Sequence, residues 1–175
     1  MPRPESPLLP SRKTLPHEIP MWIDPSAEVY FVTINSLPRG ENQLCTPATA
    51  PDLLHSASFR HESHHWFIHL FLLMPDHLHA LLSFPRQTNG IQHVIKNWKA
   101  WTAKHLRIKW QRDFFEHRLR ADEGATEKFN YILANPVRAG LVDSAVAWPW
   151  LLWSDPRGGT LQQGWGPEAR ASSVR

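Results

Sequence analysis

The amino-acid sequence predicts an α+β fold, in which an antiparallel sheet of four or five strands carries helices packed on one face. The nearly continuous apolar run 66–74 has the composition of a central strand. It is followed by Pro75-Asp76, a turn-forming pair, and by an alternating run that starts at His77, so the two runs predict an antiparallel hairpin. Residues 91–106 then repeat apolar side chains at helical spacing, the pattern of a helix that packs on a sheet.

The first half of the chain predicts one more strand and one more helix. Residues 29–34 are all β-branched or aromatic, and they predict the first strand. Residues 46–60 predict a helix that begins with Thr46 as its N-cap and has Pro47 in its first turn.

The second half predicts the remaining elements. A strand is expected over 113–119 and a helix over 125–135. The helix ends before Pro136, because a proline disfavours helical backbone in the residue that precedes it. One side of this helix is an apolar stripe formed by Ala125, Phe129, Ile132 and Leu133.

Composition divides the chain into three segments. Residues 1–20 are rich in proline with scattered charges, and we expect a flexible arm there. Residues 21–153 contain all of the predicted elements and are expected to form one domain, since 175 residues suit a single core. Residues 154–175 turn to glycine, serine, arginine and glutamine, and we expect disorder in this tail.

Charge and cysteine content narrow the functional classes. The formal net charge of +3 suits a phosphate-bearing partner, although many basic proteins bind no DNA. A single cysteine, Cys45, excludes an internal disulfide framework and is typical of a reducing cytoplasm. The longest apolar run is far shorter than the roughly 20 residues that a membrane span needs. We therefore expect a cytoplasmic protein with no signal peptide and no membrane partner.

The run that starts at His77 carries the first candidate site. On a strand, side chains two residues apart share a face, so His77 and His79 point the same way and Leu78 points to the other side. Two such imidazoles can supply two nitrogen ligands to a metal ion. Taken alone, the pair is more often an ordinary polar surface, because short motifs match by chance.

A second candidate group lies on the helix predicted over 125–135. At about 100° per residue, Tyr131 falls well off the apolar stripe, beside Asn135 one turn later and on the same flank as Lys128. A tyrosine of the core would lie within the stripe, so this one is a candidate nucleophile. The other tyrosine, Tyr30, lies in the first predicted strand, where we expect a packing role.

These two groups are the parts that phosphodiester transfer through a tyrosine requires. A phenol has a pKa of about 10 and is a weak nucleophile at neutral pH. A divalent ion held by His77 and His79 can polarise the scissile phosphate and neutralise developing charge. The amide of Asn135 can supply an oxygen as third ligand, while Tyr131 stays free to attack and to form a covalent link to DNA.

Three stretches of the chain match a known family. They are Met74-Pro75-Asp76-His77-Leu78-His79, residues 110–120 and residues 131–142, which begin Tyr-Ile-Leu-Ala-Asn-Pro. In these stretches the sequence resembles the single-tyrosine (Y1) transposases of the IS200-like class, in the HUH superfamily, and most closely their REP-associated branch. The resemblance runs from about residue 29 to residue 150, which is most of the chain.

The resemblance implies an HUH-type sheet, similar to an RRM or ferredoxin-like fold, in a bacterial protein that acts at the nucleoid. It implies that His77 and His79 bind Mg²⁺ or Mn²⁺, and that Tyr131 cuts single-stranded DNA beside an imperfect hairpin through a 5′-phosphotyrosine link. Many IS200-type relatives carry a glutamine four residues after the tyrosine as third ligand. This chain has Asn135, as in the REP-associated pattern. Some relatives act as monomers and others as dimers, so the oligomeric state stays open.

Basic and polar side chains near these motifs are candidate DNA contacts. They are Lys96 and Lys99 on the long helix, His117, Arg118 and Arg120 on or after the strand over 113–119, and Lys128 and Arg138 near the tyrosine. On the strand, alternation places His117 opposite Arg118, so the two cannot both face one site. For each position an ordinary solvated surface is the competing interpretation.

Three other functions fit parts of the pattern. A non-catalytic single-stranded DNA-binding protein of the same fold would keep the basic surface and tolerate the loss of Tyr131. A zinc-dependent hydrolase would need a third nitrogen, sulfur or carboxylate ligand beside His77 and His79, and the sequence has no HExxH segment. A replication-initiation nuclease of the same superfamily often carries additional domains, and the sequence has no P-loop.

Overall fold

A computed structural model describes most of the domain that the sequence predicts. The described residues are 28–85, 90–120, 124–154 and 160–165. The expected arm, residues 1–20, lies outside them, and so do residues 155–159 and 166–175 of the expected tail.

One antiparallel sheet forms the centre of the described structure. Its strands are β1 (Val29–Asn35), β2 (Phe67–Met74), β3 (His77–Ser83), β4 (Phe115–Arg118), β5 (Leu151–Ser154) and β6 (Leu161–Gln163). They lie in the order β4-β1-β3-β2-β5-β6, so the histidine strand β3 has a hydrogen-bonded neighbour on each side. The predicted hairpin of β2 and β3 is therefore part of the middle of the sheet.

Within the described residues, four α-helices accompany the sheet. They are α1 (Ala50–Glu62), α2 (Ile91–Leu106), α3 (Ala125–Leu133) and the short α4 (Asn135–Arg138). Across the described ranges, none of the helices combines the length and the apolar character that crossing a bilayer would take.

The helices α1 and α2 cover one side of the sheet, which we call the helix face. Alternate residues of β3 point into this layer, and Leu78, Ala80 and Leu82 pack there with Leu53 of α1 and Trp98 of α2. All of these side chains are at most 2% exposed. The main hydrophobic core therefore lies between the sheet and these two helices.

The opposite side of the sheet, which we call the site face, is covered in part by α3. Ile132 of α3 is fully buried and belongs to a second apolar cluster with Leu70, Leu72 and Leu81. Strand β2 is buried along nearly its whole length because it contributes side chains to both clusters. This explains why its sequence is a continuous apolar run and not an alternating one.

The predicted α+β class is confirmed, with two differences in detail. The sheet has six strands where four or five are predicted, because β5 and β6 are too short to give a recognisable alternation. The helix α3 lies on the opposite face from α1 and α2, whereas the sequence predicts all helices on one face. Strand β6 also falls within 154–175, the segment in which we expect disorder.

The start of α1 differs from the prediction. The helix begins at Ala50, and Pro51 lies in its first turn in place of Pro47. Thr46 does not cap the helix. Its hydroxyl and its carbonyl accept hydrogen bonds from the backbone N–H of Thr49 at 3.1 Å each, and its carbonyl also accepts one from Ala50 at 2.9 Å. Thr46 thus closes a separate turn that precedes the helix.

Lys99, a predicted phosphate contact, is buried instead. Its ammonium donates to the backbone carbonyls of Gln111 and Arg112 at 2.8 and 2.9 Å, and lies 5.6 Å from the centre of the Phe114 ring. Burial lowers the pKa of Lys99. The prediction for Lys99 is therefore wrong: this side chain holds the segment before β4 against α2. Lys96, one turn earlier, is exposed.

Replacing Lys99 with methionine keeps the aliphatic stem and removes the ammonium. We expect Lys99→Met to lower the free energy of unfolding by about 1–3 kcal/mol, because two carbonyls lose a charged donor. Lys96→Met is the matched control and should change it by less than about 0.5 kcal/mol, as is usual for a surface position. Urea denaturation measures both. Equal effects of the two substitutions would show that the buried ammonium contributes nothing specific.

Two histidines near the start of β2 are held neutral by burial. His61 accepts a hydrogen bond from the backbone N–H of Ile68 at 3.1 Å, and His69 pairs with the Ser83 hydroxyl at 2.8 Å. Burial, followed by the charge of a neighbouring histidine, lowers the pKa of each from 6.5 to about 4. Protonating either group therefore costs free energy in the folded state.

The fold should lose stability in mild acid. The neutral forms of His61 and His69 contribute fully to the free energy of unfolding above pH 6.5. This contribution is lost as the pH falls toward about 4, because the two histidines bind protons at a higher pH in the unfolded chain than in the folded one. Each histidine adds a slope of at most about 1.4 kcal/mol per pH unit. We expect His69→Ala to reduce the change of the unfolding free energy with pH between these two values, as measured by urea denaturation. His55→Ala, at an exposed position of α1, is the control and should leave that change as in the wild type.

Candidate functional site

The register of the sheet places both histidines of β3 on the site face. In the antiparallel pairing of β1 with β3, Asn35 lies opposite His77 and Thr33 lies opposite His79. Residues paired in this way point to the same side of a sheet. The two imidazole rings meet edge to face, with their centres 4.8 Å apart. Both side chains therefore lie on the same face of the sheet, as their spacing on the strand predicts.

A carboxylate orients the first imidazole. Nδ1 of His77 lies 2.6 Å from Oδ1 of Asp76, while the other oxygen of Asp76 accepts the backbone N–H of Gly40 at 2.7 Å and lies 3.3 Å from Nε of Arg39. Burial works against ionisation of Asp76, but these hydrogen bonds and the charge of Arg39 prevail and lower its pKa. An ionised Asp76 accepts a hydrogen bond from Nδ1–H of His77, so the lone pair of the imidazole lies on Nε2.

A hydroxyl orients the second imidazole. Nδ1 of His79 lies 2.9 Å from the hydroxyl oxygen of Thr33, and its ring stacks on Phe31 with the ring centres 5.6 Å apart. Burial, together with the positive charges of His77, Arg138 and Arg39, lowers the pKa of His79 to about 3. His79 is therefore neutral at physiological pH, which is the state in which an imidazole can bind a metal ion.

Tyr131 is presented to solvent on α3, between two cations. Its side chain is 47% exposed. The guanidinium carbon of Arg138 lies 4.1 Å from the centre of its ring, and Nζ of Lys128 lies 5.4 Å from it. The same ammonium lies 5.0 Å from the centre of the Phe31 ring, which stacks on His79. A continuous series of contacts thus connects the phenol to the imidazole pair.

Asn135 is held by neighbours at the junction of α3 and α4. Its amide nitrogen donates to the backbone carbonyls of Ile132 at 3.1 Å and Tyr131 at 3.3 Å. Its amide oxygen accepts a hydrogen bond from Arg138 at 2.8 Å. The oxygen that we expect as a metal ligand is therefore already in contact with a cation, although its second lone pair remains.

The donor set fits a divalent ion in part. In the residues that the structure describes, neither Nε2 atom of His77 and His79 takes part in a hydrogen bond, so both are available as ligands. Within those same ranges, no group of three or more histidine, cysteine, aspartate or glutamate side chains has the geometry of a metal site. A third position would fall to the amide oxygen of Asn135 or to water.

The remaining predicted DNA contacts divide between the two faces of the sheet. His117 pairs with Phe31 in the register of β1 and β4, and so belongs to the site face. Arg118 points the other way, as alternation predicts, and donates to Glu28. Lys96 lies on α2, over the helix face, and Arg120 is exposed after β4. Only Lys128 and Arg138 lie directly beside Tyr131.

The orienting residues of the site are not predicted from the sequence. They are Phe31, Thr33, Arg39 and Asp76. Three of these come from β1 and the loop after it, and they meet the histidines only through the pairing of β1 with β3. Asp76 precedes His77 directly, so its position in the turn was the one local signal that could have identified it.

Similar proteins agree with the motifs. No protein-family model matches the sequence. A protein of Haemophilus influenzae named as a REP-associated tyrosine transposase is 27% identical over 94 residues, which cover 45% of this chain and 53% of the relative. A REP-associated tyrosine transposase of Escherichia coli is 29% identical over 126 residues, which cover 69% of this chain and 73% of the relative. The chain thus spans about half the length of the first of these relatives and nearly three quarters of the second.

A solved structure has the same fold. It is that of a REP-associated tyrosine transposase bound to a REP hairpin, with a TM-score of 0.63 and 23% identity, and the match covers 71% of this chain and 76% of that one. The antiparallel α+β architecture is therefore shared. The resemblance to the REP-associated tyrosine transposases, which the motifs around His77 and Tyr131 predict, is confirmed by the named relatives.

Removing the groups that orient the imidazoles should weaken metal binding without altering the fold. We expect Asp76→Ala or Thr33→Val to reduce the affinity for Mn²⁺ by about ten- to a hundredfold, the usual effect of losing a hydrogen-bond partner of a ligating histidine. Electron paramagnetic resonance of free Mn²⁺ measures the affinity, and Glu62→Ala, at an exposed end of α1, serves as the control. Unchanged affinity in both variants would mean that the ion does not bind at this pair.

Proposed function

We propose that this chain is a metal-dependent single-stranded DNA transposase or endonuclease, which cleaves and rejoins DNA at hairpin-forming repeats through a 5′-phosphotyrosine intermediate. The observation that carries the proposal is the position of Tyr131. It is half exposed, lies between two cations, and is connected through Lys128 and Phe31 to a pair of imidazoles whose Nδ1 atoms are each held by a neighbouring side chain. The names of the similar proteins support it, including a relative solved with a REP hairpin.

The proposed reaction uses few groups of the protein. Lys128 and Arg138 attract the phosphate to the phenol of Tyr131. The phenolic oxygen attacks phosphorus, the bond from phosphorus to O3′ breaks, and the leaving oxygen ends as a 3′-hydroxyl after taking up the proton that the phenol loses. The reverse attack, by the 3′-hydroxyl of a second strand, restores Tyr131 and joins the DNA. No other reactant is consumed.

A divalent ion completes the proposal. Mg²⁺ or Mn²⁺, when bound, would polarise the scissile phosphate and offset its developing charge. His77 and His79 would hold it through Nε2, with Asn135 or water as a further ligand. Arg138 has to share the amide oxygen of Asn135 with the ion, or to exchange it for oxygens of the entering phosphate. The proposed setting is the bacterial cytoplasm, with the protein on nucleoid DNA as a monomer or a homodimer.

One contact favours a second candidate, a non-catalytic single-stranded DNA-binding protein of the same fold. The hydrogen bond from Arg138 to Asn135 places a positive charge beside the expected metal position. A protein that only binds DNA would keep this cation and would need no ion. The zinc-hydrolase alternative lacks support, since among the described residues no histidine, cysteine or carboxylate forms a group of three potential metal ligands with the imidazole pair.

Replacing the proposed nucleophile separates these functions. Purified protein, Mn²⁺ and a hairpin-bearing single strand should give a protein–DNA adduct on a denaturing gel. Tyr131→Phe should abolish the adduct and leave binding within about twofold, because only the attacking oxygen is removed. His77→Ala should also abolish cleavage, and duplex DNA should be a poor substrate.

The chain offers a matched control for this experiment. Tyr30→Phe also removes one phenolic oxygen, but from β1, where the hydroxyl bonds Glu28 at 2.7 Å. This variant should form the adduct at the wild-type rate. If Tyr131→Phe still forms an adduct, the nucleophile lies elsewhere. If the wild-type protein binds the strand with either metal and never cleaves it, the non-catalytic function is correct.

A further inference from the structure

We infer that the ring of Phe115 is a stacking position for one unpaired nucleobase of the DNA strand bound at the Tyr131 site. The inference deepens the proposed function and rests on it, because it names how the strand is held next to the reacting phosphate. Phe115 is 56% exposed, although a phenylalanine side chain is ordinarily buried. It lies on β4, at the edge of the sheet next to β1.

The sheet register directs this ring to the site face. Phe115 pairs with Thr33, whose hydroxyl contacts His79, so the three side chains share one side of the sheet. The acidic neighbour Glu116 points to the other face, where Gln92 of α2 donates to it at 2.9 Å. No carboxylate of β4 therefore accompanies Phe115 on the face where a phosphate backbone would run.

Phe115 ends a row of rings that starts at the imidazole pair. The ring of His79 stacks on Phe31 at 5.6 Å between centres, and Phe31 meets Phe115 edge to face at 6.0 Å. The face of Phe31 is taken by the ammonium of Lys128, 5.0 Å from the ring centre. Phe115 is consequently the member of the row with an open ring for a base, and aromatic rings on a sheet are a recurring platform for unpaired bases.

The charge around the row selects a nucleotide over an apolar partner. Lys128 lies between Phe31 and Tyr131, so a phosphate attached to a base on Phe115 would pass a cation on its way to the phenol. A second copy of the chain, paired along the edge strand, is the competing occupant. Strand β4 has only four residues, and a stable interface buries about 800 Å² on each partner, far more than one ring and four residues provide.

The test is a cycle that combines a protein change with a DNA change. Binding of a hairpin with a single-stranded extension is measured by fluorescence anisotropy in EDTA, so that no cleavage occurs, and an abasic nucleotide is placed at each position of the extension in turn. We expect Phe115→Ala to weaken binding by about tenfold, the size expected for one stacked base. At one position of the extension, the abasic nucleotide should weaken binding to the wild-type protein by the same factor as Phe115→Ala does. The same abasic strand should bind Phe115→Ala no more weakly than the intact strand does.

Three further variants test whether the effect is specific to the position and to an aromatic ring. Phe59→Ala removes an equally exposed phenylalanine, 57% exposed on α1 at the helix face, and should bind like the wild type. Phe115→Leu keeps an apolar side chain without a ring and should bind like Phe115→Ala, whereas Phe115→Trp should restore binding. Unchanged melting temperatures would show that each variant is folded.

The outcomes separate this inference from the proposed function. If the effects of the abasic nucleotide and of Phe115→Ala add at every position, the stacking position is refuted, even when the Tyr131 adduct forms normally. If the cycle shows coupling and no adduct ever forms, the stacking position stands and the catalytic proposal fails. If sedimentation shows a dimer that Phe115→Ala dissociates, with no coupling to any base, Phe115 belongs to an interface between copies.

Discussion

The position of β3 between two hydrogen-bonded neighbours is the constraint on which the site depends. Its pairing with β1 and β2 fixes which side chains face the helices and which face the site. If the pairing of β3 shifted by one residue, Leu78 and Ala80 would lie on the site face and both histidines would lie in the apolar core on the helix face. Burying imidazoles there without partners is costly, so the packing that stabilises the fold also aligns the candidate ligands.

Local sequence patterns predict the imidazoles and the phenol of the site, but not the residues that orient them. Alternation on a strand is enough to place His77 and His79 together, and helical spacing is enough to turn Tyr131 away from the apolar stripe. Both patterns span only a few residues. The contacts of Asp76 with Gly40 and of Thr33 with His79 join segments that are far apart in the chain, and only the strand register brings them together.

The errors of prediction have the same origin. Lys99 lies at the edge of the buried stripe of α2, and helical periodicity cannot tell whether such a position faces solvent or a loop that returns over it. The strands β5 and β6 have four and three residues, too few for a pattern. The continuous apolar run of β2 did contain a signal for a second covered face, and α3 covers part of that face.

The two halves of the site are anchored unequally. The imidazoles belong to a central strand with hydrogen bonds on both sides, and each has a second contact at Nδ1. Tyr131 belongs to a helix of nine residues, of which Ile132 alone is fully buried, and which has no side-chain cap at its start. Short helices owe their stability to tertiary packing, so fewer buried groups hold the phenol than hold the imidazoles. In the proposed reaction, the covalently bound DNA end has to remain near the imidazoles while the other strand is exchanged. A central strand that fixes the imidazoles and a less firmly packed helix that carries the phenol would suit such an exchange.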